Sequence, residues 1–249
     1  MSIDPIYMKK ILLLSVTTLL TVTLMAQNDS TSKRKKEPID LSNRPNDHFM
    51  IQAGYLGWSG KPDSIKTEGL SKSVNVYFMF DFPFKTNPKI SVGVGAGIAS
   101  DHLHLSKTGV EIKSASTLFH FTNTSDTDHF KKTSLNTTYF EAPVEIRYTT
   151  NPLNPDKGFK FAIGAKVGTM INAHTRNKDL QNKNNTVITA YTQKETSKHY
   201  FNNNRLSIMG RVGSGHFTLF ASYQVTALFK DGAGAEIHPY TLGLTISGL

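Results

Sequence analysis

The sequence predicts an all-β protein, an eight-stranded antiparallel up-and-down transmembrane β-barrel, and three observations carry that prediction. A short apolar segment near the start has the form of an export signal. Eight later segments alternate apolar with small or polar side chains, and the connections between them alternate between long and short. One barrel accounts for a chain of 249 residues. A hydrophobic fraction of 38% is low for a helical membrane protein but ordinary for strands that are apolar on one face only.

The export signal comes first. Met8-Lys9-Lys10, the uncharged run from Ile11 to Met25, and Ala26-Gln27 form a basic start, an apolar centre and a small-residue cleavage site. Met8 is a candidate true start, and Leu24 leaves the cut uncertain by a residue or two. The apolar run is shorter than the roughly 20 residues that a spanning helix needs, and five Ser and Thr dilute it. Residues 1–26 are therefore expected to be a signal peptide. Residues 27–47 carry Lys33-Arg34-Lys35-Lys36 without periodicity and are expected to form a flexible basic periplasmic tail. The barrel is expected over 48–249.

Strands are expected near residues 48–58, 70–83, 89–104, 137–149, 158–173, 203–212, 216–229 and 239–248, each from a two-residue alternation. The short connections are Lys85-Thr86-Asn87-Pro88, residues 151–157 and Gly213-Ser214-Gly215; the others are longer. Outer-membrane barrels sort their loops this way, with the tight turns toward the periplasm. The N- and C-termini are then both periplasmic, and the location is the outer membrane of a Gram-negative bacterium.

The apolar phase runs through Val74, Val76, Phe78, Phe80 and Phe82, for example, and through Phe140, Ala142, Val144, Ile146 and Tyr148. The opposite phase holds Asp81, Glu141, Glu145, Arg147, Lys160, Lys166, Arg205 and Arg211. A Lys or Arg facing lipid near the midplane costs about 2 to 4 kcal/mol, and several would exceed a folding stability of about 5 to 15 kcal/mol. The charged phase must face inward, where buried charges persist only if paired. These eight residues are expected to form an interior network that fills a narrow barrel and leaves no conducting pore. A soluble lipocalin-like barrel would invert the two faces. Against it stand two aromatic girdles, Phe49, Phe82, Tyr148, Phe159 and Phe217 at the turn end and Tyr55, Phe140 and Tyr240 toward the loop end. Pro143, in mid-strand, suggests a bulge or local bend.

Several functions are disfavoured. The chain has no cysteine, hence no disulfide or thiol chemistry. The net charge of +9 is scattered rather than gathered on one face, which argues against nucleic acid. His102 and His104 share a strand face, while His120, His129, His174 and His199 lie in the two longest loops, and no spacing converges three of them on a metal. No cofactor is implied. His102 with Ser100 and Asp101 near the rim offers material for an enzyme acting on lipid or peptide, but no G-x-S-x-G nucleophile turn is present. The expectation is a non-enzymatic barrel with a structural or loop-mediated binding role. Its expected partners are outer-membrane lipid and lipopolysaccharide, the barrel-assembly machinery during biogenesis, and an envelope protein reached through the long loops. The loops at 106–135 and 174–203 are polar and expected to face the environment, with Lys178, Lys183, Lys194 and Lys198 as lipopolysaccharide contacts.

The stretch Tyr139-Phe140-Glu141-Ala142-Pro143-Val144-Glu145-Ile146-Arg147-Tyr148 resembles the aromatic-Glu-x-Pro strand of the PorT-like outer-membrane β-barrel family of Bacteroidota. The segment from Phe159 to Gly168 is similar to that family's fifth strand. The resemblance runs from about Asp47 to Leu249 and implies an outer-membrane barrel of a broad family mostly without assigned function. One branch serves the type IX secretion machinery, which makes an accessory of a secretion machine the other alternative. The final strand has the alternation of an assembly signal but ends in Leu249 rather than the common Phe.

Overall fold

In the computed structural model the described residues are 49–63 and 65–248. The expected signal peptide, the basic tail and Leu249 lie outside them. Among the described residues eleven strands follow one another: β1 (Phe49–Ser59), β2 (Lys72–Pro83), β3 (Ile90–Leu105), β4 (Thr108–Val110), β5 (Phe121–Asn123), β6 (His129–Thr149), β7 (Phe159–Gln181), β8 (Val187–Thr196), β9 (Asn204–Ser214), β10 (Phe217–Gln224) and β11 (His238–Ser247). Eight of them, β1, β2, β3, β6, β7, β9, β10 and β11, pair in that order, and β11 returns to β1. Every pairing is antiparallel, so the ring has no free edge.

The register fixes the tilt. From Tyr55 it passes to Leu242, Ala221, Gly210, Ile163, Ile146, Val92 and Phe82. Phe82 lies four residues beyond Phe78, the partner of Phe49, so one circuit shifts the register by about ten residues along β1. Strands tilted by roughly 40° produce such a stagger.

Alternation sorts the two faces. Val74, Val76, Phe78, Phe80 and Phe82 are exposed on the outer wall, while Ser73, Asn75, Tyr77 and Met79 between them are buried. The outward rows from Phe82 to Val74, Ile90 to Ile98, Tyr148 to Phe140 and Phe159 to Val167 each span nine residues. At a rise of about 3.3 Å and this tilt they cover an apolar band of roughly 20 to 25 Å.

Three boundaries differ from expectation by more than a residue or two. β6 begins at His129 instead of near 137, and β7 runs to Gln181 instead of 173. The added lengths pair with one another, His129 opposite Gln181 and Asn136 opposite His174, and β8 pairs along β7 from His174 to Gln181. This extra sheet rises past the apolar band and is rich in Thr and Lys, so no hydrophobic alternation marked it. At the other end of the chain, β10 stops at Gln224 because Leu228 and Phe229 turn into the core of the loops. Pro143 produces no bulge. Its ladder toward β3 is interrupted, but the register is unchanged on either side, since its missing N–H falls on the β3 side while Lys166 still faces it from β7. The register shift in β6 lies instead at Thr138/Tyr139.

The loop end carries its own core. Trp58, Phe119, Tyr200, Phe201 and Phe229 gather with Leu56, Ile65, Leu103 and Ile112. Phe119 meets Phe229 at 4.6 Å and Phe121 at 4.8 Å between ring centroids. The Tyr200 hydroxyl donates to the Ser114 and Ser116 carbonyls at 2.8 and 2.7 Å. The long loops thus fold over the barrel as an aromatic cap, which corrects the expectation that they are merely polar.

Candidate functional site

Three layers fill the barrel from turn end to cap, the first two set by which strands bring charged inward residues to the same height. In the first, Glu145 on β6 accepts from Arg211 Nε and Nη2 on β9 at 3.1 and 2.5 Å and from Arg147 Nε at 2.9 Å. Arg147 reaches Asp81 on β2 at 3.4 Å, and Ser91 donates to the same carboxylate at 2.6 Å. Lys160 enters this layer, lining a cavity of about 30 Å³ with Asp81, Arg147 and Arg211. Such a volume holds about one or two waters.

In the second layer, Glu141 accepts from Tyr77 Oη at 2.5 Å and lies 3.7 Å from Lys166 Nζ and 3.2 Å from Arg205 Nη1. Arg205 also donates to Asp101 at 2.9 Å and stacks on the Tyr139 ring at 4.7 Å. Asp101 was grouped with Ser100 and His102 in the sequence; alternation turns it inward, away from both. Extending the apolar phase of β3 by one step identifies it, since Ile98 and Ser100 face out. The inward phase is also less uniformly polar than expected, because Met50, Tyr77, Met79, Tyr139 and Phe220 are buried there. Gly93 and Gly97 make room: a Cβ on Gly93 would meet Arg147 Nε at 2.5 Å, and one on Gly97 the Tyr77 ring at 2.6 Å. The cap forms the third layer.

On the outer wall, Phe49, Tyr55, Phe82, Phe140, Tyr148, Phe159 and Phe217 all project outward, Phe217 with 62% of its surface exposed. Tyr240 departs from this pattern. It is half-buried, and its ring covers Gly57, where a Cβ would collide with it. An aromatic beside a strand glycine hides backbone that the glycine leaves bare.

Beyond the apolar rows the outer face becomes cationic. Lys132 lies opposite Lys178, Arg176 opposite Lys194, and Lys72 opposite His102, all on one side of the sheet. Burial first, then Lys72 beside His104 and Lys194 beside His174, hold both imidazoles below their usual range. The fixed positive charge of this face belongs to its Lys and Arg. Lys183 and Lys198 are exposed as well, Lys198 donating to the Met170 carbonyl at 3.3 Å. The histidines go separate ways, His129 to Asn185 and His199 against Tyr200. Among the described residues no three metal-ligating side chains converge. Beside the cap, β4, β6, β7 and β8 border a polar cleft of about 410 Å³ that contains Glu111, Lys113, Asp128, His129 and Glu195.

A closed antiparallel ring, greasy outside and ion-paired inside, defines an outer-membrane β-barrel. The chain belongs to the outer membrane protein beta-barrel domain family, whose model matches residues 42–229. Its place is the outer membrane. No curated protein matches the chain. Among solved structures it is similar to Ail, the attachment invasion locus protein of Yersinia pestis, at 10% sequence identity and a TM-score of 0.32, over 82% of this chain and 97% of that one.

Proposed function

We propose that this protein is a closed, non-conducting anchor that holds a β-sheet clear of the outer membrane and offers its free edge to an extended segment of a partner protein. The observation that carries this reading is β8. It ends the sheet order, pairs among the described residues only with β7, and is exposed along almost its whole length. From Val187 to Gln193 it contains no charge, with Val187, Ile188 and Tyr191 exposed. Edge strands are normally blunted by charges or proline against pairing with other chains. A long, uncharged edge rich in β-branched residues is the surface to which an added strand binds through main-chain hydrogen bonds.

The filled interior supports the absence of a pore. Loop sorting supports an orientation with turns and both termini in the periplasm and the cap and β8 outside. The cationic outer face lies level with lipid headgroups and suits lipopolysaccharide phosphates. The regular alternation of β11 supports recognition by the barrel-assembly machinery. The Tyr139–Tyr148 motif supports placing the chain in the PorT-like branch.

The test is photo-cross-linking in cells, with the reactive group placed in turn at each position from 187 to 193. Protein adducts recurring every second residue, and lost in Tyr191→Pro, are expected. Absence of adducts, or equal yields from positions on the barrel wall, would overturn the edge as the binding surface.

A further inference from the structure

We infer that the outer wall carries an acyl-ester hydrolase site, with Ser100 as nucleophile, His102 as general base and Asn136 as the residue that positions the base. This goes beyond the anchoring role and rests on the outer wall of the barrel facing lipid. Ser100 and His102 are two apart on β3, so both face outward, and Asn136 on β6 is the register partner of His102. Ser100 Oγ lies 3.1 Å from His102 Nε2, and His102 Nδ1 lies 2.6 Å from Asn136 Oδ1. A nucleophile, a base within hydrogen-bond reach and a third group orienting that base are the arrangement by which hydroxyl nucleophiles are activated on unrelated folds.

The third group is itself fixed. Asn136 is only 4% exposed although its face is the outer one. Its Nδ2 donates to Ser134 Oγ at 3.2 Å, and Ser134 Oγ donates to the Arg176 carbonyl at 3.4 Å. With the amide held this way, Oδ1 accepts a hydrogen bond from His102 Nδ1–H, and Nε2 keeps its lone pair for the Ser100 hydroxyl.

Position selects the substrate. Ser100 stands one outward residue above Ile98 and beside Phe140, at the loop-end margin of the apolar band. Acyl esters of membrane lipids lie at that margin, with their chains along the band and their headgroups beyond it. Lys72, Lys132, Arg176, Lys178 and Lys194 extend on the same face past the site, so the ester belongs to a phosphate-bearing lipid. Both glycerophospholipids and lipid A supply that chemistry.

In the reaction, Ser100 Oγ attacks the ester carbonyl carbon while its proton passes to His102 Nε2. The tetrahedral intermediate collapses with cleavage of the bond from the carbonyl carbon to the alcohol oxygen, and the alcohol leaves with the proton from His102. Water then attacks the acyl-serine, giving its proton to His102, which returns it to Ser100 as the fatty acid departs. By register Thr138 lies opposite Ser100 and Lys72 opposite His102 on the same face, and these are the side-chain donors assigned to the oxyanion.

The test uses the full-length protein folded in mixed micelles, with heat-modifiability on gels as the check that each variant forms the barrel. Phosphatidylglycerol and purified lipid A are the two substrates, and mass spectrometry reads fatty acid and deacylated lipid. Turnover of either is expected, and the arm that turns over names the source. Ser100→Ala and His102→Ala should lower it by about a hundred- to ten-thousand-fold, and Asn136→Asp should retain activity that Asn136→Ala loses. A fluorophosphonate should add one label, at Ser100. A folded barrel that neither turns over lipid nor takes the label overturns the inference, as does activity that persists in Ser100→Ala. Neither result touches the β8 edge, whose cross-linking is read separately.

Discussion

Replacing Glu145 by Ala removes the carboxylate that Arg211 grips through two nitrogens and Arg147 through one. Arg147 keeps Asp81 at 3.4 Å, so the larger loss falls on Arg211, whose guanidinium is then buried without its carboxylate. Breaking a buried ion pair from one side costs about 3 to 5 kcal/mol, because the surviving charge keeps its desolvation penalty. Against a total of about 5 to 15 kcal/mol this is a large fraction. The assay is urea unfolding in lipid vesicles, followed by the fluorescence of Trp58, the only tryptophan, which packs in the cap 6.0 Å from Phe121. Glu145→Ala should shift the midpoint by the equivalent of that loss without raising ion conductance across a planar bilayer. Glu145→Leu with Arg211→Met removes both charges and should recover about 1 kcal/mol or more of it. An unchanged midpoint in the single variant, or a double variant no better than the sum of the two singles, would refute a cooperative network.

The other predictions concern packing. Gly97→Ala would drive a Cβ into the Val76 carbonyl and to 2.6 Å from the Tyr77 ring, and should cost about 1 to 3 kcal/mol in the same titration. Phe119→Ala should remove about 3 to 5 kcal/mol from the cap while leaving the eight-stranded ring intact. It should therefore expose residues 106–128 to protease in folded protein, whereas uncut loops would show that the aromatic cluster does not hold them.

How much of this was legible in the sequence depends on whether a segment faces two different media. Where one face meets lipid and the other a charged interior, as from Phe82 to Val74, alternation is strict and fixes strand, face and register. The extension of β6 and β7 meets no lipid, so Lys132, Ser134 and Asn136 carry no apolar rhythm and the strand was lost at Thr137. The types in the ion network were visible, but not which Arg meets which Glu, because that depends on the stagger of the ring. Asp101 was misplaced for want of carrying the β3 phase one residue further. Phe119, Phe201 and Phe229 are single aromatics in polar surroundings, and only the topology brings them together. Ser100 and His102 stand out in the sequence only together with Asp101, while Asn136, more than thirty residues away, becomes a partner through the β3–β6 register.

The closed ring is tested most directly by isolating the outer membrane and running the protein on gels before and after boiling. Recovery in the outer-membrane fraction is expected, with a band that migrates differently when unboiled, because a barrel without edges resists detergent. A protein found soluble in the periplasm, with one mobility at both temperatures, would contradict it and reverse the inner and outer faces described above.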